Sequence, residues 1–179
     1  MKIPVFRFLI AAILSLITVG QSFGYVVNKR WATPATINMV CKFGAQPDPA
    51  GTTWNSIALA AMADWNSHML NAQLVGTVGA GTSGASYNGV NEMFFTDHNY
   101  AGLELGWMQG LAYTFTSGGY IIEADVLFGP TNTSDFTFGC LHELGHVLGL
   151  GHPDQAGQTV VAVMNDNTVS SYIITADDI

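Results

Sequence analysis

The eleven residues 142–152, HELGHVLGLGH, decide how the whole sequence is interpreted. Four residues along a helix turn a side chain through about 400°, so His142 and His146 are expected on one helix face, one turn apart. Two imidazoles in this arrangement can bind one zinc ion, and Glu143 beside them can reach a water on the metal without being a ligand. The segment therefore predicts a zinc site on a helix.

A third ligand is expected from His152, just beyond the end of that helix. A catalytic zinc site has three protein ligands and one open position. Gly149 can adopt a positive φ, end the helix and turn the chain so that His152 meets the metal. Cys140 is a nearby candidate for the fourth ligand of a structural site, but it lies about 200° around the helix from His142. It is expected to point away from the metal, which favours a catalytic site.

The ligand set indicates the reaction. Zinc lowers the pKa of a bound water to about 7 and polarises a carbonyl group. Glu143 can accept the proton of that water and pass it to a leaving amine. A peptide bond is the natural target of this combination. The sequence thus predicts a zinc-dependent endopeptidase that holds one catalytic zinc and acts on a protein or peptide.

Apolar periodicity around this segment predicts the secondary structure. Predicted strands cover residues 37–43, 72–78, 90–96, 111–116 and 121–128, and predicted helices cover residues 52–69 and the stretch from Ser134 or Asp135, either of which could cap the helix, to Leu148. Gly118 and Gly119 lie between the last two strands, as in a hairpin turn. This order of elements predicts an α+β domain, with a mostly β sheet and two helices packed on it.

The first 24 residues have the features of a secretory signal peptide. Lys2 and Arg7 are followed by an apolar run that extends to residue 19, and residues 22–24 (SFG) offer small residues for cleavage. The run is shorter than the ~20 apolar residues of a membrane-spanning helix. We therefore expect residues 25–179 to form one secreted catalytic domain, extracellular or periplasmic.

Composition argues against two kinds of partner and leaves open whether the two cysteines form a disulfide. Removing residues 1–24 takes away two basic residues and no acid, so the formal charge changes from −8 to −10. This charge argues against nucleic acid or an anionic membrane as a partner, and a monomer is expected. Cys41 and Cys140, the two cysteines, both lie in the exported part. A disulfide between them is predicted, and two buried free thiols are the alternative.

Beyond the histidines, the sequence resembles the matrixin-like branch of the metzincin metallopeptidases. Val163-Met164-Asn165, twelve residues after His152, looks like the Met-turn beneath the zinc in that clan. Residues 122–128 (IEADVLF) are similar to the strand before the active-site helix, and Trp65 matches the first helix. The resemblance implies a twisted, mostly parallel five-stranded sheet with an antiparallel edge strand and two to three helices.

The resemblance also implies how a substrate binds. An edge strand from Gly110 to Phe115, with Leu111 and Ala112 as its substrate-edge residues, is expected to pair with an extended peptide, with the Ala112 carbonyl near the reacting bond. A serralysin-like metzincin is the alternative within the clan. No Tyr follows Met164 closely and no glycine-aspartate calcium repeat follows it, which favours the matrixin-like branch.

The sequence departs from vertebrate matrixins at places that bear on its metals. Tyr113 stands where those enzymes supply a histidine to a second, structural zinc, and Pro153 follows the third histidine where they usually have Ser. His68 is expected on a polar helix face and His98 in a solvated turn, so one zinc is predicted. Acidic, Asn-rich loops leave calcium as an open alternative, although no loop has calcium-ligand spacing.

Two further departures concern the ends of the domain. No cysteine-switch propeptide precedes residue 37, and residues 175–179 (TADDI) look like the first turn of the family's last helix. A different function therefore stays open. The chain would then be a zinc-binding pseudoenzyme, or an inactive truncated fragment, that binds peptides without cleaving them.

Overall fold

The computed structural model describes residues 26–45, 47, 51–80, 86–97, 102, 105, 110–129, 133–166 and 171–179. Its elements, in chain order, are β1 (Val26–Val27), β2 (Ala35–Lys42), α1 (Trp54–His68), β3 (Ala72–Val78), β4 (Asn91–Phe95), β5 (Leu111–Ser117), β6 (Tyr120–Phe128), α2 (Thr133–Leu148), β7 (Leu150–Gly151) and a 3-10 helix (Ala176–Asp178). The predicted signal peptide and His98 lie outside the described residues. None of the described helices has both the length and the apolar character that a membrane crossing requires.

Five of the described strands form the central sheet, in the order β3-β2-β4-β6-β5. β2 pairs in parallel with β3 and β4, and β4 pairs in parallel with β6. β5 lies at one edge and is antiparallel to β6. The prediction of an α+β fold with a mostly parallel sheet and an antiparallel edge strand is confirmed.

A tight turn connects the edge strand to its neighbour. Gly118 and Gly119 have φ angles of 58° and 83°, the left-handed conformation that a two-residue type I′ hairpin requires at both central positions. The hairpin predicted at this dipeptide is confirmed. The strand register shifts between Phe115 and Thr116, so the part of β5 before this bulge keeps regular pairing with β6.

α1 packs one face against the core, as its periodicity predicts. Thr53 caps the helix by accepting a hydrogen bond from a first-turn N–H at 3.2 Å. Ala58, Ala61 and Trp65 are buried. The Trp65 indole N–H donates to the Leu141 carbonyl at 2.8 Å, and this bond ties α1 to α2.

α2 begins earlier than predicted. Because the helix starts at Thr133, both Ser134 and Asp135 lie inside its first turn and neither caps it, so this part of the prediction is wrong. The Asp135 carboxylate in the first turn stabilises the helix through the macrodipole instead. The helix ends at Leu148, as predicted, and Gly149 follows with a φ of 100°.

The core contains both cysteines. Cys41 on β2 and Cys140 on α2 are fully buried free thiols, so the disulfide predicted for them is not formed in the structure. Burial raises the pKa of Cys41 to about 12 and raises the pKa of Cys140 well above its ordinary value. Since the thiolate is the reactive form, these side chains pack as small, inert apolar groups.

Candidate metal centre

α2 carries two of the three histidines. His142 and His146 lie one turn apart with their ring centroids separated by 4.9 Å, as the helical period predicts. Leu144 and Val147 of the same helix are fully buried in the core. The packing of α2 therefore determines the direction in which the two imidazoles point.

Gly149 brings the third histidine to the other two. Its φ of 100° ends α2, and a Cβ at this position would lie 2.2 Å from the Lys29 carbonyl oxygen, so only glycine fits. β7 follows, paired with β1, and leads to His152. The His152 Nε2 lies 3.0 Å from the His142 Nε2 and 2.9 Å from the His146 Nε2. The three predicted ligands are thus close enough to hold a metal ion.

Burial keeps two of the imidazoles neutral, and backbone hydrogen bonds, which oppose the fall in pKa, set their tautomer. The Nδ1 of His142 lies 2.8 Å from the Val163 carbonyl oxygen, and the Nδ1 of His146 lies 2.8 Å from the Leu150 carbonyl oxygen. A carbonyl can only accept, so each Nδ1 carries the proton and each Nε2 keeps its lone pair. Burial lowers the pKa of His142 and lowers the pKa of His146 to about 4. Both rings are therefore in the neutral form that a metal ligand needs.

The three Nε2 atoms are better arranged to bind one cation than to form hydrogen bonds with one another. The His152 Nε2 can offer at most one N–H, which cannot satisfy the lone pairs of both His142 and His146. In a tetrahedral site, metal–nitrogen bonds of about 2.1 Å set the ligand atoms about 3.4 Å apart. The observed separations of 3.0 and 2.9 Å are a few tenths of an ångström smaller than about 3.4 Å. The donor set fits a four-coordinate ion with three protein ligands.

Glu143 lies beside the histidines, buried and with few partners. Its side chain is 7% exposed, and the Ala112 N–H donates to its carboxylate. Burial raises the pKa of Glu143 to about 8, the charge of Asp166 adds to the increase, and the Ala112 hydrogen bond opposes it. A bound cation would also oppose it. Burial thus favours the protonated acid, whereas the ionised carboxylate, the form that can accept a proton, is the one that a bound cation would favour.

A cleft of about 290 Å³ opens beside the three histidines. Its walls come from the end of α2, from β7, from the segment after β1 and from the edge strand. Leu111 and Ala112, the residues predicted for the substrate edge, both line this cleft. Gly110 precedes them, and a Cβ there would lie 2.6 Å from the Glu143 Cγ, so a larger residue would displace the carboxylate.

Met164, the predicted Met-turn residue, packs against the metal-binding part of α2. A Cβ at Gly145 would lie 2.1 Å from the Met164 sulfur, so the two residues are in direct contact. The Met164 N–H donates at 3.1 Å to the carboxylate of Asp178, a buried residue of the 3-10 helix. This helix therefore fixes the turn whose Val163 carbonyl orients His142.

The sequence patterns do not predict the roles of three residues of this site. Lys29 and Asp166 line the cleft, and Gly110, the first residue of the predicted edge strand, leaves the room that Glu143 occupies. The one available signal for Asp166 is that it follows Met164 by two residues. His68, in contrast, lies at the end of α1, the helix predicted for it, and is hydrogen-bonded within that helix.

Two comparisons with known proteins give no match. No protein family model matches the sequence, and a search of curated proteins finds no significant match.

Proposed function

We propose that this protein is a secreted, zinc-dependent endopeptidase of the metzincin type. His142, His146 and His152 hold the zinc, and Glu143 is the general base. The observation that carries the proposal is the convergence of three imidazole Nε2 atoms next to a buried carboxylate in the wall of a cleft. Three imidazoles beside an open position are a ligand set typical of catalytic zinc.

Zinc and Glu143 have different roles in the proposed hydrolysis. When bound, zinc supplies a Lewis acid that polarises the scissile carbonyl and acidifies a water. Glu143 accepts the proton of the attacking water and delivers it to the leaving nitrogen. A bound cation would keep Glu143 ionised before the first transfer, and the burial of its side chain favours the protonated product of that transfer.

The edge strand positions the substrate. The Ala112 N–H points to Glu143, and in a strand the carbonyl of the same residue faces the same side. The Ala112 carbonyl is therefore directed at the cleft, where it can accept a hydrogen bond from an extended peptide added to the sheet edge. The cleft would hold this peptide along β5, with the scissile bond beside Glu143.

Metal analysis and hydrolysis together test this proposal. Dialysed protein is expected to contain about one zinc per chain, and casein hydrolysis should stop with a chelator and return with added zinc. His152→Ala should lose both zinc and activity because it removes a ligand. His68→Ala is the matched control and should keep both, since His68 lies on α1 outside the metal-binding group.

Each failure of this experiment has a distinct meaning. Full zinc content without cleavage of casein or gelatin would favour the alternative, a zinc-binding protein that holds peptides without cutting them. Zinc retained by His152→Ala would contradict the ligand assignment. A second tightly held zinc would contradict the prediction of a single metal.

A further inference from the structure

Lys29 spans the cleft beside the metal centre. Its backbone N–H donates to the Gly149 carbonyl at 3.2 Å, at the end of α2. Its ammonium donates to the Thr114 hydroxyl on the edge strand at 2.7 Å. Among the described residues that line the cleft, Lys29 is the one lysine or arginine. The residue is therefore held at its backbone and at its ammonium group, beside the edge strand along which a peptide would bind.

No carboxylate in the described part of the chain neutralises this charge. The described salt bridges join Lys42 to Glu92 and His68 to Asp64. The Lys29 ammonium has a neutral hydroxyl as its partner, which leaves two of its three N–H donors for a ligand. Asp166 and Glu143 line the same cleft, but no described salt bridge joins either to Lys29. An ammonium without a described carboxylate partner at this end of the cleft can bind an anionic ligand group.

The distance between the Lys29 ammonium and the reacting bond follows from the residue spacing along β5. Ala112 faces Glu143, and Thr114, two residues further along β5, has its backbone groups on the same edge. The bulge lies beyond Thr114, so the alternation is regular up to this point. A peptide paired with β5 would therefore place a side chain near Lys29 about two residues, or about 7 Å, from the reacting bond.

We propose that Lys29, positioned by Thr114, forms a subsite that selects peptide substrates with a carboxylate side chain near the scissile bond. The substrate class is therefore acidic peptides. This inference rests on the proposed endopeptidase function. The ammonium and the Thr114 hydroxyl both donate to the carboxylate, and these charge-assisted bonds supply the selectivity.

A scan of paired peptides tests the subsite. Short fluorogenic peptides carry a single Glu at successive positions, and each has a Gln counterpart. The zinc-loaded protein should show a Glu-to-Gln ratio of kcat/KM of about five at one position, on one side of the scissile bond. This ratio should fall between about 50 mM and about 0.5 M NaCl because salt screens an exposed pair.

Three variants assign the effect to Lys29. Lys29→Met should bring the ratio to about one and Lys29→Glu should invert it, since the charge is removed or reversed. Arg30→Met is the matched control: it makes the same change in net charge, but Arg30 lies over the Tyr120 ring and does not line the cleft. It should keep the wild-type ratio. A ratio of one in the wild type, or an equal loss in Arg30→Met, would overturn the proposal.

A binding measurement separates this inference from the proposed function. The Glu143→Gln protein is titrated with labelled forms of the same Glu and Gln peptides, and fluorescence anisotropy reports affinity without turnover. Preference for the Glu peptide that is lost in the Lys29→Met, Glu143→Gln protein supports the subsite even if the wild type cleaves nothing, in which case only the proposed function fails. If the wild type cleaves both peptides and the Glu143→Gln protein binds them with equal affinity, the subsite alone is overturned.

Discussion

Two buried glutamates, Glu123 and Glu143, have opposite surroundings. The Glu123 side chain on β6 is fully buried, and its oxygens accept hydrogen bonds from the backbone N–H groups of Asn88 and Gly89. Glu143 on α2 is nearly as buried, but its carboxylate has the Ala112 N–H as its donor. A carboxylate surrounded by donors holds a loop, whereas one with few donors keeps acceptor capacity for chemistry. The same residue type thus serves structure in one place and the proposed reaction in the other.

The largest effect is expected when Glu143 is changed. Glu143→Gln keeps the shape and all three histidines but removes the base, so kcat for a fluorogenic peptide should fall by at least about 100-fold at unchanged zinc content. The urea unfolding midpoint should not fall, because a neutral amide suits this buried position. Full zinc content with less than about a tenfold loss of rate would show that Glu143 is not the base.

The reciprocal change at Glu123 should affect stability. Glu123→Gln replaces one acceptor oxygen by an NH₂ group that faces N–H donors, and the free energy of unfolding should fall by about 2 kcal/mol. Urea unfolding measures the loss, with the partly exposed Asp64→Asn as the matched control, expected to change stability by less than about 0.5 kcal/mol. Zinc content and kcat at low temperature should be unchanged. A loss of zinc instead would mean that the two carboxylates are coupled.

A smaller effect on rate is expected at Gly110. The added Cβ of Gly110→Ala would lie 2.6 Å from the Glu143 Cγ, so the carboxylate must shift, and kcat should fall about tenfold. Gly79→Ala is the control because its Cβ would lie 2.5 Å from a Val40 methyl group, a similar overlap away from the site. If both variants lose the same activity, the effect is one of folding and not of the position of Glu143.

The smallest effect is expected in the loop that Glu123 holds. The Asn88 side chain accepts a hydrogen bond from the Val90 N–H at 2.8 Å on the exposed side of this loop. Asn88→Ala removes it but leaves the backbone N–H groups bonded to Glu123, so the unfolding free energy should fall by about 0.5–1 kcal/mol. Thermal unfolding measures this change. A loss as large as that of Glu123→Gln would mean that the side chain of Asn88, and not the carboxylate, orders the loop.

The sequence predicts those parts of the fold that depend on neighbours along the chain. Helix and strand boundaries agree with the apolar periods to within about two residues, and Gly118-Gly119 marks the hairpin because both positions need a left-handed backbone. His142 and His146 share a face because of the helical period. Gly149 indicated the return of His152 for the same local reason, since glycine tolerates a positive φ. The convergence of the three histidines was therefore predictable.

The tertiary structure alone decided the environment of each polar group. Lys29 and Thr114 are 85 residues apart, and no local pattern indicates that the segment after β1 reaches the edge strand. The donors that reach Glu123, the free thiols of Cys41 and Cys140, and the contact of Asp178 with Met164 likewise depend on which elements pack together. Periodicity determines the face on which a side chain lies, but burial, pKa and partners depend on residues far away in the sequence, and only the folded chain brings these residues together.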